Sequence, residues 1–177
     1  NEFSAFARMP APVFNHESAC DLIRQAVYLQ QGARSDIQFK TDLPDEGLQL
    51  YCDSRKVAQA LTNLVQNAVQ SVLQRLEAEA DNGEPGWVLV KLIESDQFCS
   101  IEVSDNGMGL PADEPVGRLT EPYVTKRADG TGLGLAIVKK IMEEHSGTIS
   151  LRNRDGGGAC VTLDFPMLPA AGNAAAE

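Results

Sequence analysis

Gly130-Thr131-Gly132-Leu133-Gly134-Leu135 is the stretch on which the reading of this chain turns. Three glycines at alternate positions run straight into Leu135, Ile137, Val138, Ile141 and Met142, which recur at helical spacing towards His145, with Gly147 placed to end the helix. A glycine-rich turn that opens a helix leaves backbone N–H groups unpaired beside the positive end of the helix dipole, and this makes an anion site suited to phosphates. The two commoner phosphate patterns do not fit. No Lys-Ser or Lys-Thr follows, as a phosphate loop needs, and Leu135 stands where the last glycine of the dinucleotide pattern belongs.

Just upstream, Thr125, Lys126 and Arg127 supply local positive charge to a chain with 15 Lys and Arg against 25 Asp and Glu, a net charge of −10. That balance argues against a nucleic-acid or anionic-membrane surface, so any phosphate has to be handled locally. Residues 106–130 lose all periodicity and are rich in Gly, Pro, Asp and Thr, as expected of a lid or binding loop. Before them, Trp87 to Glu94 and Phe98 to Asp105 read as an antiparallel hairpin that ends in Asp105-Asn106-Gly107-Met108-Gly109. A carboxylate at the inner end of a strand needs a donor, and the exocyclic amine of adenine is one, where guanine presents a carbonyl.

From Ser54 to about Ala80 there is neither Gly nor Pro, and Val57, Leu61, Leu64, Val65, Ala68, Val72 and Leu76 mark the longest helix. On it Asn63 and Asn67 lie four apart and share a face, with Ser71 next along the row. A polar helix face in water explains one such pair; a side-chain oxygen offered to Mg²⁺ beside nucleotide phosphates explains it as well. Towards the N-terminus, Asn15 and Ser18 are candidate caps for a short amphipathic helix ending at Gly32, and Ile37 to Cys52 reads as two strands joined by a turn at Pro44 to Gly47. Thr148 to Arg152 and Ala159 to Phe165 are two further strands around Asp155-Gly156-Gly157-Gly158.

With 177 residues, 43% hydrophobic and 23% charged, the chain can build one core and is neither fibrous nor wholly disordered. Cys20, Cys52, Cys99 and Cys160 are widely spaced and lack zinc-site spacing, which fits idle thiols in a reducing cytoplasm. No apolar run approaches the roughly 20 residues of a membrane span, and no signal-peptide pattern opens the chain. The start at Asn1 points to a fragment of something longer.

The order is more telling than any single motif. Asn-x-x-x-Asn-Ala on a long helix, a strand ending Asp-x-Gly-x-Gly, a loop with Glu121-Pro122-Tyr123-Val124-Thr125-Lys126 and a Gly-Thr-Gly-Leu-Gly-Leu helix start together resemble the catalytic ATP-binding domain of bacterial sensor histidine kinases. The resemblance covers about residues 18–166, and the opening Asn1 to Pro12 looks like the end of a dimerisation helix plus linker in kinases of the nitrogen-regulation NtrY type. It implies a Bergerat-type two-layer α/β (α+β) sandwich, a mixed and largely antiparallel sheet packed on helices. The implied organisation is helix end and linker at 1–14, the catalytic domain at 15–166 with a lid at about 110–131, and a disordered tail at 167–177.

The same resemblance implies residue roles. Asn67 corresponds to the Mg²⁺-binding asparagine, with Asn63 near the phosphates, and Asp105 to the adenine-binding aspartate, with Gly107 and Gly109 shaping the pocket edge. Tyr123 stands in the lid box, Lys126 is the phosphate-facing lysine, and Gly130, Gly132 and Gly134 form the glycine box; Thr125, Thr131, Leu133 and Leu135 complete the implied ATP-binding set, in which Asn63 and Lys126 carry catalysis. One departure is Ala159, where many members carry Thr; Thr162 would replace that hydroxyl only from the pocket-facing side of its strand.

Related gyrase-like, Hsp90-like and MutL-like ATPases carry a Glu base where this chain has Asn63, and an amide accepts no proton at neutral pH. This favours holding ATP for transfer over hydrolysis. The acceptor is expected on a histidine-bearing dimerisation domain outside this chain, because His16 lacks the acceptor context and His145 reads as a last-turn histidine complementing the helix dipole. A response regulator downstream, a monomeric fragment of a dimeric kinase, and a cytoplasmic domain of a membrane-bound parent complete the expectation. The alternatives are an anti-sigma-factor-like binding module and an ATPase of the same superfamily.

Overall fold

The computed structural model describes residues 9–32, 36–45, 47–78, 83–124 and 132–167. The elements run β1 (Asn15–Ser18), α1 (Ala19–Gln31), β2 (Ile37–Asp42), β3 (Gln49–Cys52), α2 (Ser54–Ala78), β4 (Gly86–Glu94), β5 (Phe98–Asp105), a 3-10 helix (Val116–Thr120), α3 (Gly134–Glu144), β6 (Thr148–Asn153) and β7 (Ala159–Pro166). Five strands form one sheet in the order β2-β4-β5-β7-β6, in which only β2 and β4 run parallel. The three helices pack on one face of that sheet, so the mixed, largely antiparallel two-layer sandwich expected from the sequence is the fold.

The layers close because periods match. In β4 and β5 alternate residues Val88, Val90, Cys99, Ile101 and Val103 are buried, and α2 answers with Val57, Ala60, Leu61, Leu64, Val65, Ala68 and Val72. Fully burying each Leu, Ile or Val side chain contributes about 1.5–3 kcal/mol, so this helix-to-sheet seam is the main source of stability.

Local detail departs from expectation in three places, two of them corrections. Ile37 to Cys52 holds the two strands expected, but they do not pair with each other: β2 joins the main sheet beside β4, while β3 pairs with β1 in a separate two-stranded ribbon. Alternation marks strands but not their partners, and here the parallel edge of β4 takes β2. Asn15 is therefore no cap but a strand residue opposite Cys52, and Ser18 alone caps α1 by accepting from the Asp21 N–H at 3.2 Å. α3 ends at Glu144, and the left-handed residue that closes it is Ser146, at φ 54°, and not Gly147. The N–H of Ser146 then reaches the carbonyl of Glu143 at 3.1 Å and that of Gly147 reaches Met142 at 2.8 Å, the paired bonds that close a helix C-terminus.

His145 also departs from its reading as a charge on the helix dipole. It is 6% exposed, its Nδ1 donates to the Ile141 carbonyl at 2.7 Å, and its Nε2 accepts the backbone N–H of Asp53 at 3.0 Å. A ring that donates from one nitrogen and accepts at the other is the neutral tautomer, so His145 is a structural tie between α3 and the start of α2. His16 lies on β1, exposed and tilted against Tyr51 at 5.1 Å between ring centroids.

Candidate functional site

α2 and α3 run antiparallel, and the row begun by Asn63 and Asn67 faces the open N-terminus of α3. Asn63 Nδ2 donates to the Gly134 carbonyl at 3.4 Å, which commits the nitrogen and leaves the amide oxygen for the space beside it. Leu133 stands at the cap of α3, and its apolar side chain makes no capping hydrogen bond, so the first-turn N–H groups are not met by a side-chain cap of the ordinary kind. Between these elements and the ends of β5 and β7 lies a cavity of about 930 Å³, within the range of small-molecule sites.

At the far end of the cavity sits Asp105, 5% exposed. Its Oδ1 accepts the backbone N–H of Gly107 at 2.8 Å and, at the 3.5 Å limit, that of Ala159. Neither bond uses the second carboxylate oxygen, and the residue lines the cavity. Burial pushes the Asp105 carboxyl above the usual range, and the pulls in the other direction, from the Gly107 and Ala159 N–H groups, the Arg154 charge and the Ser71 hydroxyl, do not cancel it. A desolvated carboxylate on a cavity wall is a recognition group suited to a ligand N–H.

The backbone around Asp105 is held closely. Gly158 at φ +82° comes so near that a Cβ there would lie 2.0 Å from the Asp105 carbonyl oxygen, so no other residue fits without moving the strand. Arg154 Nη1 donates to that same carbonyl at 3.1 Å and to Gly157 at 3.0 Å, and its guanidinium lies over the Trp87 ring at 4.5 Å. Asn106 clamps the other side, accepting from Trp87 N–H at 2.8 Å and donating to the Pro85 carbonyl at 2.9 Å.

Tyr123 and Gly132, both of which line the cavity, lie side by side at its edge. Tyr123, a non-glycine residue at φ 66°, donates its N–H to the Gly132 carbonyl at 3.0 Å, and a Cβ on Gly132 would sit 2.7 Å from the Tyr123 carbonyl carbon. A non-glycine residue with left-handed backbone packed this closely on a glycine is held in a strained conformation by its surroundings. Earlier in the loop, Leu110 N–H is held by Asn153 Oδ1 at 2.7 Å, and Arg118 lies 3.6 Å from Glu114 and 3.7 Å from Glu121.

Of the residues singled out from sequence, Asn63, Asn67, Asp105, Gly109, Tyr123, Gly132, Gly134 and Leu135 line this one cavity. Gly107 lies immediately behind Asp105, and Leu133 is buried under the start of α3. Thr125, Lys126, Gly130 and Thr131 lie outside the described residues. Thr162 is on the other side of β7 from Ala159 and Val161, which line the cavity, and its hydroxyl is instead 4.0 Å from Cys160 Sγ; it supplies no replacement for the missing threonine. Sequence reasoning missed Gln66, Gln70 and Gln74, which face the cavity along the neighbouring row of α2; their i, i+4 spacing beside Asn63, Asn67 and Ser71 is the signal that would have found them.

Residues 52–169 match the family described as histidine kinase-, DNA gyrase B- and HSP90-like ATPase. The chain belongs to this family. Within it the chain is an ATP-binding catalytic domain of the sensor-histidine-kinase type, similar to NtrY proteins. The nitrogen regulation protein NtrY of Azorhizobium caulinodans is 42% identical over 92% of this chain, which spans 21% of that protein's length. The nucleotide-free catalytic domain of the histidine kinase ThkA superposes with a TM-score of 0.74 at 28% identity, covering 89% of this chain and 97% of that one. The fold is also shared, with a TM-score of 0.75 at 24% identity, by ThkA in complex with the response regulator TrrA, covering 96% of this chain and 46% of that chain. Among the described residues no helix is long and apolar enough to cross a membrane.

Proposed function

We propose that this domain binds Mg-ATP and presents its γ-phosphate to a histidine on a separate dimerisation domain, within a kinase whose phosphoryl group passes on to a response regulator. The observation that carries the reading is Asp105, a buried carboxyl on the cavity wall with one oxygen committed to the backbone, facing across the cavity the start of α3, which has no side-chain cap. The carboxylate suits the adenine amine and the helix start suits phosphate, so one molecule spanning both ends of the cavity is an adenine nucleotide.

The donor set fits Mg²⁺. Asn63 keeps its amide oxygen uncommitted beside Gly134, Asn67 lines the same wall, and neutral oxygens that share a cation with phosphates and water are the ligands this ion takes. Bound there, it would neutralise phosphate charge. The chain's own contribution is positioning: Asp105 orients the base, the α3 N–H groups take phosphate oxygens, and Lys126, from the loop, offsets the negative charge of the phosphoryl group in transfer. Asn63 supplies no general base to a water, which keeps the bound ATP for its protein acceptor.

The test is to incubate the chain with γ-labelled ATP and Mg²⁺, with and without a histidine-bearing dimerisation domain of an NtrY-like kinase. Acid-labile, alkali-stable label on the added domain, with little free phosphate in its absence, is the expected result. Sustained phosphate release by the chain alone would make it an ATPase, and binding without transfer would leave a docking module.

A further inference from the structure

The two helices that carry the cavity wall are tied at both ends. At the cavity end Asn63 reaches Gly134. At the opposite end, roughly 15 Å along α2 for about ten residues at about 1.5 Å each, a second polar cluster joins them. Asp53 N–H donates to His145 at 3.0 Å, and Lys56, its side chain 7% exposed, pairs with Glu144. Asp53 is the centre of this cluster. One carboxylate oxygen caps α2 by accepting the N–H groups of Arg55 at 3.1 Å and Lys56 at 3.2 Å, and the other accepts the N–H of Val13 at 2.8 Å, forty residues earlier in the chain.

Val13 lies in the Pro-containing stretch that leads into β1, where the chain enters the domain. A cap needs only one oxygen. The second therefore serves something else, and the residue is only 1% exposed while serving it. Phe14 extends the same junction, stacking on Tyr51 at 5.4 Å and lying 5.0 Å from the His145 ring. The entering strand is thus fastened to the ends of α2 and α3 that lie away from the nucleotide, by one carboxylate and one neutral histidine.

Resting on the function proposed above, we infer that Asp53 is a positioning residue for phosphoryl transfer: by holding Val13 to the α2–α3 pair it fixes the direction in which the domain, and the γ-phosphate it carries, faces the histidine domain on the other side of the linker. Transfer between domains depends on the approach of donor and acceptor, and a misplacement of about 1 Å costs on the order of 100-fold in rate. Nucleotide affinity depends on the other ends of the helices and should be independent of the clamp.

Chemistry offers a selective test. Asp53→Asn keeps one oxygen for the cap, and Asn is as good a cap as Asp, but its second atom becomes an NH₂ that meets the Val13 N–H donor to donor. Val13→Pro removes the same bond from the other side and leaves Asp53 intact. In a kinase carrying this domain together with its histidine domain, both variants should lower the turnover of autophosphorylation by roughly tenfold or more, with KM for ATP unchanged within about twofold. In the isolated chain, amides 13–18 of Asp53→Asn should exchange faster, while those of Arg55 and Lys56 stay protected. Unchanged turnover, or a fall in turnover matched by a rise in KM, would overturn the positioning role and leave the kinase reading standing. A wild-type kinase that makes no phosphohistidine under the same conditions would overturn both.

Discussion

Replacing Asp105 with Asn should make the empty domain more stable and the nucleotide complex weaker, two effects of opposite sign from one atom. The native carboxyl is raised above its ordinary value, with burial as the larger cause and the N–H groups of Gly107 and Ala159 opposing it. The folded state therefore holds a proton that the unfolded state has already released once the pH exceeds about 3.9. Stability contributed by this group is full below that value and falls as pH rises towards the raised native pKa, so ionised Asp105 burdens the fold at neutral pH. Asn carries no such burden and keeps an oxygen for Gly107, so its melting temperature should exceed that of wild type at pH 7, with the difference vanishing near about pH 3. For the nucleotide the change is adverse, because the second carboxylate oxygen becomes an NH₂ facing the adenine amine. A hydrogen bond to a charged group contributes about 1.5–3 kcal/mol, which corresponds to roughly 10- to 150-fold in Kd. Calorimetry with ATP and with GTP, beside thermal melts at both pH values, reads all three quantities. A variant that melts lower at neutral pH and binds ATP as wild type does would show that Asp105 is a structural residue and that the base sits elsewhere.

Gly158→Ala should be among the most damaging small substitutions: a left-handed φ costs about 1–3 kcal/mol for a non-glycine residue, and the new Cβ would meet the Asp105 carbonyl at 2.0 Å, so both the melt and ATP binding should suffer. Glu144→Gln leaves Lys56 buried without its charge partner and should lose towards the lower end of about 3–5 kcal/mol in denaturant titration, with Lys56→Met in the same background restoring part of it. Asp53 responds to acid in the opposite sense to Asp105. Burial alone would raise its carboxyl, but the N–H groups of Val13, Lys56 and Arg55 and the Arg55 charge bring it below the ordinary value, so its stabilisation is present above about pH 3.9 and is lost as pH falls through the native pKa; Asp53→Asn should flatten the acid limb of a pH–stability curve. Burial pushes the Cys52 and Cys99 thiols up to about 12, and all four cysteines are buried, so a thiol reagent at about pH 8 should label none quickly until denaturant is added.

Elements whose signal is local were legible in the sequence. The stripe from Val57 to Val72 marked α2, the hairpin from Trp87 to Asp105 kept its bounds within a residue, and the glycines before Leu135 marked the start of α3. What was not legible depends on neighbours distant in sequence. Nothing in Ile37 to Cys52 says that its two strands part to different sheets, since alternation carries no address. The helical position of His145 carries no sign that it accepts a hydrogen bond from Asp53, ninety-two residues away. The candidate site was readable as an ordered set of residue types. Its supporting layer was not, because Arg154, Asn106 and Asn153 act on backbone carbonyls and N–H groups that only the folded chain brings to them.

Ala159 shows how the two kinds of information meet. From sequence alone, a methyl where the resemblance implies a threonine reads as a polar group missing from the pocket. In the structure the contribution of residue 159 to Asp105 is its backbone N–H, which any residue but proline supplies, and the turn at Gly158 aims it. The carboxylate is therefore held without a side-chain hydroxyl from β7, and Thr162 lies on the other side of that strand. What the methyl changes is the wall around the carboxylate: it is more apolar than a threonine would make it, which deepens the desolvation of Asp105 and raises the free energy recovered when an adenine amine arrives. Restoring the hydroxyl as Ala159→Thr should accordingly lower the Asp105 pKa, read by carboxyl NMR titration, and narrow the preference for adenine over guanine nucleotides, read by calorimetry. An Asp105 titration that does not move would show that the strand turn, and not residue 159, sets the polarity of the wall.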